Sequence, residues 1–103
     1  MVPTIPLAPM GFETTSVPNS VVTLSSSQYS TSDVGDARMA LISVESADLR
    51  FTFDGTTPTP GTNTGHVLPS GSNLTLMGLT SMQKFKMIRN GSTTCNVTVT
   101  YFK

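Results

Sequence analysis

Few side chains of this sequence could carry out acid–base or nucleophilic chemistry. Its 103 residues include one histidine, His66, and one cysteine, Cys95. A serine or cysteine nucleophile would need His66 as its base, and no nucleophile-elbow sequence surrounds the nearby Ser70 and Ser72. Cys95 falls on the predicted core face of a strand, where a thiol packs as a small apolar side chain. We therefore predict no catalytic residue and no enzymatic activity.

Metal and cofactor sites have no better support. A single histidine and a single cysteine cannot complete a zinc site within one chain. Asp33 and Asp36 share a polar loop, but calcium takes about six to eight oxygen ligands, so we interpret them as turn-capping residues. Glu45 and Asp48 are close in sequence, which is common by chance, and no phosphate-binding glycine motif occurs. We expect no metal ligand, no cofactor and no small-molecule substrate.

The positive charges contain one cluster, formed by Lys84, Lys86 and Arg89. It is either a solvated sheet face that discourages edge pairing or a contact for an acidic patch on a partner. Arg50 is flanked by aromatic and apolar neighbours and is predicted to project from an outer sheet face. These four residues are candidates for partner binding. The net charge is zero, with six basic and six acidic residues. Six scattered cations make a poor basic stripe of the kind that a nucleic-acid-binding protein normally shows, so we expect no nucleic-acid partner.

Clean alternation marks the strand that must position Arg50. Leu49, Phe51 and Phe53 face one way, whereas Arg50 and Thr52 face the other. Residues 37–45 are apolar at both parities, which predicts a strand covered on both faces.

A hairpin is predicted near the end of the sequence. Asn90-Gly91 separates two strand-like runs, and both residues accept the positive φ of a type I′ turn. Phe85 and Met87 point inward from the first run. The inward residues of the second run are Cys95, Val97, Val99 and Tyr101.

Composition agrees with a β fold. Threonine and serine dominate, and glycine and proline punctuate short extended runs. Cys95 has no partner for an intrachain disulfide. We predict an all-β domain over residues 21–103, an antiparallel β-sandwich or small barrel of about six or seven short strands.

The first twenty residues differ from the rest because prolines recur in them and favour an extended backbone. Their apolar residues are Val2, Ile5, Leu7, Met10 and Phe12. We predict an extended N-terminal arm over residues 1–20 that lies along the body of the domain or along a neighbouring subunit, with partner binding as its role; the alternative is a disordered terminus. No basic residue precedes the apolar positions, so we expect no secretory signal. No run approaches the roughly 20 apolar residues of a membrane span, so we expect no membrane partner.

One segment carries a family resemblance over residues 48–102. Its residues are Arg50-Phe51-Thr52-Phe53-Asp54-Gly55-Thr56-Thr57-Pro58-Thr59, Gly65-His66-Val67-Leu68, Gly71, Leu74-Thr75-Leu76, Phe85-Lys86-Met87-Ile88-Arg89 and Val97-Thr98-Val99-Thr100-Tyr101. It resembles a group of small β proteins encoded among the structural genes of tailed bacteriophages and prophages. The loop over residues 56–65 is longer than that group leads us to expect.

The resemblance implies a virion component, first a capsid decoration or cement subunit on the outer shell. Its partners would be the major capsid protein and itself, with a trimer around symmetry axes as one arrangement. It would be made in the bacterial host cytoplasm and reside on the capsid surface. A neck or tail adaptor and a head-fibre component are alternatives. A carbohydrate-binding module is a further one, since small β-sandwiches often bind glycans, although the chain has no tryptophan.

Overall fold

The computed structural model describes residues 8–103. Ten strands occur in this range: β1 Pro9–Val17, β2 Val22–Thr23, β3 Ser30–Thr31, β4 Gly35–Asp36, β5 Met39–Glu45, β6 Leu49–Thr52, β7 His66–Leu68, β8 Asn73–Met77, β9 Lys86–Arg89 and β10 Cys95–Phe102. Two short helices, α1 Ser26–Tyr29 and α2 Leu79–Lys84, and a 3-10 turn at Pro60–Thr62 connect them.

The strands form two four-stranded antiparallel sheets. The first sheet has the order β1-β10-β5-β8, the second has the order β2-β9-β6-β7, and β3 and β4 make a separate ribbon. The sheets pack together, so the predicted all-β sandwich is confirmed. Seven of the strands in residues 8–103 have three or more residues.

The core lies between the inner faces of the sheets. From β10 it takes Cys95, Val97, Val99 and Tyr101, all fully buried, as the alternation predicted. Other fully buried side chains include Ile42, Val44, Leu49, Met82, Phe85 and Met87. Alternating apolar side chains on facing sheets remove apolar area from water, which is the main term favouring this fold.

Residues 9–17 of the predicted arm are extended and lie along the body of the domain, but they are a strand of the first sheet, so the predicted boundary between arm and domain at residue 21 is wrong. These residues form β1, which pairs with β10 from Pro9 opposite Phe102 to Val17 opposite Cys95. An extra residue in β1 between Pro9 and Gly11 makes a bulge, and Met10 packs against the core. The domain therefore begins before residue 21. The predicted arm residues Val2, Ile5 and Leu7 lie outside the described residues.

The predicted hairpin at Asn90-Gly91 is also wrong. β9 belongs to the second sheet and β10 to the first, so the chain crosses between sheets after Arg89. Neither Asn90 nor Gly91 has a positive φ. The backbone amide of Asn90 instead donates to the Asp48 carbonyl at 3.0 Å. The crossover separates two strands that a type I′ turn would have joined.

Candidate binding sites

Arg50 does not project into solvent, so its predicted place on an exposed face is wrong. It is 7 % exposed. Its Nε donates to Asn90 Oδ1 at 2.9 Å, and its Nη1 donates to the Gly65 carbonyl at 3.0 Å. Burial of a guanidinium needs such acceptors, and both come from distant parts of the chain. The Arg50 side chain therefore has a structural role, because its hydrogen bond to the Gly65 carbonyl holds the end of the loop before β7 against β6.

The other three candidate partner-binding residues, Lys84, Lys86 and Arg89, do not lie on one surface. Lys84 ends α2, Lys86 begins β9 and Arg89 ends it. Lys86 and Arg89 are three positions apart on a strand, so they point to opposite faces of the sheet. Arg89 Nε is buried and has no hydrogen-bond partner within residues 8–103.

The structure keeps Cys95 and His66 apart. Cys95 is fully buried in β10, and its Sγ lies 3.2 Å from the Ala47 carbonyl. Burial, and then the charge of Asp48, raises the pKa of the Cys95 thiol, which keeps it protonated and a poor nucleophile. His66 lies exposed at the start of the edge strand β7.

The described part of the chain contains neither a metal-binding cluster nor a membrane-spanning helix. No group of three or more histidine, cysteine, aspartate or glutamate side chains that could share a metal ion occurs in residues 8–103. No helix found there has the length and apolar character to cross a bilayer.

The outer face of the first sheet carries an apolar patch that crosses its strands. We call it the apolar face, and its members are Phe12, Met39, Leu41, Met77 and Phe102. Met39 lies opposite both Phe102 and Met77, and Thr100 lies between Phe12 and Leu41. Phe12 is 60 % exposed and Met77 is 62 % exposed. The outer side chains of β5 are half-buried within this chain, so the prediction that both its faces are covered is wrong here.

Charge is nearly absent from this side of the first sheet. Its outward residues are Phe12, Thr14 and Ser16 on β1, Asn96, Thr98, Thr100 and Phe102 on β10, Met39, Leu41, Ser43 and Glu45 on β5, and Asn73, Thr75 and Met77 on β8. Among these, only Glu45 is charged. It lies four residues along β5 from Leu41, or about 14 Å, so the apolar face itself holds no charge.

The second sheet has a recess at the end of β6. The recess has a volume of about 220 Å³ and is lined by Thr52, Phe53, Asp54, Thr56, Thr64, Gly65 and His66. The rings of Phe53 and His66 stack, with centroids 5.7 Å apart and an interplanar angle of 12°. Phe51 lies against both rings. Phe53 is 46 % exposed and His66 is also exposed, so both rings of this stack are open to solvent.

Hydrogen bonds hold the wall of the recess. The Thr56 amide donates to Asp54 Oδ1 at 3.0 Å. The amide and then the hydroxyl of Thr56 hold the pKa of Asp54 below its usual range, and the charge of Lys84 acts in the same direction. The Thr52 hydroxyl donates to the Thr56 carbonyl. Gly65, on the other side of the recess, has a φ of 107°. An added Cβ there would lie 2.7 Å from the Phe51 carbonyl, so the backbone at Gly65 packs closely against β6.

Comparison of the chain with protein-family models, with curated protein sequences and with solved structures found no match. The resemblance of residues 48–102 to phage structural proteins therefore stays a prediction.

Both surfaces contain residues that the sequence analysis did not select as sites. Alternation predicts that Phe53 faces the same way as Leu49 and Phe51, and nothing in the sequence predicts a binding role for Asp54. For the apolar face, the available signal was the two-sided apolar pattern of residues 37–45, which contains Met39 and Leu41.

Proposed function

We propose that this protein is a non-enzymatic structural component of a bacteriophage virion, a decoration or cement subunit that binds the outer capsid shell. One observation carries the proposal: the first sheet exposes an uncharged apolar face, with Phe12 and Met77 both more than half exposed. Scattered single apolar side chains are normal on a protein surface, whereas a contiguous group is typical of an interaction site. The apolar face crosses four strands, about 14 Å.

The binding mechanism is burial of apolar area against a neighbouring protein. Each square ångström of apolar surface removed from water contributes roughly 25 cal/mol before the costs of association. A single contact of this size is weak. Repeated contacts on a regular shell add through avidity, as long as several subunits engage together. Low charge on the face avoids the desolvation cost that a buried unpaired ion would add.

The leading residues supply a second predicted contact. Val2, Ile5 and Leu7 precede β1 in sequence, and Pro9 at the start of β1 lies opposite Phe102 of the apolar face. Deletion of residues 1–7 should therefore weaken shell binding and leave the sandwich folded. A deletion through residue 20 would remove β1 and is not a usable test.

Charge substitutions on the apolar face test the proposal. The assay is co-sedimentation of the purified protein with shells assembled from the major capsid protein of the phage or prophage that encodes it. Phe12→Asp and Met77→Asp should each lower binding about tenfold or more, because each places an ion in the contact and removes apolar area. Ser16→Asp is the matched control on the same strand and face. No binding by the unchanged protein, or equal binding by all variants, would contradict the proposal.

Copy number separates decoration from a neck, tail or head-fibre position. Mass spectrometry of purified particles should find hundreds of copies for a decoration subunit, against about a dozen or fewer for a ring at one vertex. A copy number in the lower range would agree with a virion component but would contradict the proposal that the protein decorates the capsid shell.

A further inference from the structure

We propose that the recess on the second sheet binds one pyranose ring of a neutral saccharide, which stacks on Phe53 and hydrogen-bonds to Asp54. The recess is formed by β6, β7 and the loop between them, whereas the apolar face lies on the first sheet. The two sites share no residue, so sugar binding does not depend on the shell-binding proposal.

The stacking surface is fixed before a ligand arrives. Phe53 follows the last residue of β6 and remains 46 % exposed. His66 stacks on it at 5.7 Å, and Phe51 packs against it at 5.8 Å. Phe12, which is also exposed, has no aromatic neighbour of this kind in residues 8–103. A ring held by two neighbours loses little side-chain entropy when a ligand stacks on it, which favours binding.

Polar groups surround that surface on the side of the loop. The Asp54 carboxylate keeps one oxygen engaged by the Thr56 amide, and because its pKa is lowered it is ionised at neutral pH. An ionised carboxylate only accepts hydrogen bonds, so the ligand must supply donors. Thr64 adds a hydroxyl, which shares a hydrogen bond with Thr62 at 2.9 Å. A pyranose ring offers both required features, an apolar C–H face and hydroxyl donors at its rim.

Charge narrows the ligand class further. Asp54 repels phosphates and carboxylates. The charge of Lys84, which lies outside the lining of the recess, already favours the ionised form of Asp54, so a cation would gain less here than beside a carboxylate with no positive neighbour. A neutral, donor-rich ring needs no charge pairing in the recess. The volume of about 220 Å³ is below the range of about 300–1,000 Å³ for sites that take drug-sized ligands, so the recess accommodates a single sugar unit.

Saturation-transfer NMR on the full chain tests the site. The probes are the methyl glycosides of glucose, galactose, mannose and N-acetylglucosamine, with arginine methyl ester and phenyl phosphate as charged comparators. At least one glycoside should bind with a dissociation constant on the order of 1 mM, as expected for a ligand of this size. Its ring C–H protons should receive the strongest transfer, because they face Phe53.

Variants assign the binding to the recess. Phe53→Ala should weaken the bound glycoside at least tenfold, and Asp54→Asn should weaken it severalfold. Val34→Ala, which trims an exposed apolar side chain in the loop between β3 and β4, should leave it unchanged. Absence of transfer to all four glycosides, tighter binding of either charged comparator, or undiminished binding by Phe53→Ala would overturn the proposal. None of these results bears on co-sedimentation with shells.

Discussion

Removal of one buried hydroxyl should measurably destabilise the sandwich. Tyr101 is fully buried in β10, and its hydroxyl donates to Glu13 Oε2 at 2.9 Å across the β1–β10 pair. Tyr101→Phe deletes this bond and keeps the ring. Hydrogen bonds to charged groups contribute about 1.5–3 kcal/mol, and Glu13 retains its bonds from the amide and hydroxyl of Ser25, each at 3.2 Å. We therefore expect a loss of about 2 kcal/mol, or roughly 8–16 °C in Tm for a domain of this size.

Urea denaturation followed by far-UV circular dichroism measures this loss, and the chain offers a matched control. Tyr29 packs against Tyr101 with ring centroids 6.0 Å apart, but no hydrogen bond of its hydroxyl is found within the described residues 8–103. Tyr29→Phe should cost no more than about 0.5 kcal/mol. A cycle with Glu13→Gln should show a coupling free energy of about 1 kcal/mol or more. Equal losses for the two tyrosine variants, or no coupling to Glu13, would refute this account of the contact.

Three further outcomes follow from groups in the same core and in the recess. The free energy of unfolding should fall as pH rises above about 8.5 and again above about 10, because the unfolded chain releases the protons of Cys95 and Tyr101 there. In the folded protein, burial raises the pKa of both groups, so they keep their protons. Urea titrations at several pH values measure this fall, and Tyr101→Phe should make the fall with pH less steep. Cys95 should resist thiol reagents in the native protein and react fully in urea. Gly65→Ala should destabilise more than Gly55→Ala, as measured by Tm, because both glycines have positive φ but only at Gly65 does an added Cβ meet backbone, at 2.7 Å; similar losses would contradict the close approach.

The face assignments within single strands could be predicted from the sequence. In β10, apolar and polar side chains alternate from Cys95 to Tyr101, and the apolar members Cys95, Val97, Val99 and Tyr101 are buried as that alternation requires. This works because the side-chain direction in a strand reverses at every residue. Only the local order of residue types is needed.

The pairing of strands could not be predicted in the same way. Asn90-Gly91 has the residue preference of a tight turn, but the strands on its two sides belong to different sheets. The reason is tertiary: Asn90 receives a hydrogen bond from Arg50, forty positions away. A local turn preference contains no information about such a partner.

The same limit explains why the domain boundary was placed too late in the sequence. Pro9 and its neighbours resemble an extended linker, and Glu13 does not look like a residue on the inner face of a strand. It can lie there because the Tyr101 hydroxyl and Ser25 donate to its carboxylate. The recess was missed for a related reason, since Phe53 and His66 meet only when β6 pairs with β7.

The pairing at the two ends of the described chain has a mechanical consequence. The Ala8 amide donates to the Lys103 carbonyl at 3.0 Å, and the Lys103 amide donates back at 2.9 Å. Tension applied between these two positions would peel β1 from β10 one hydrogen bond after another, starting at the open end, instead of shearing all of them together. A subunit held at one of these ends and pulled at the other would yield at low force. In the proposed shell-binding role, durable anchorage would therefore have to come from the sheet face.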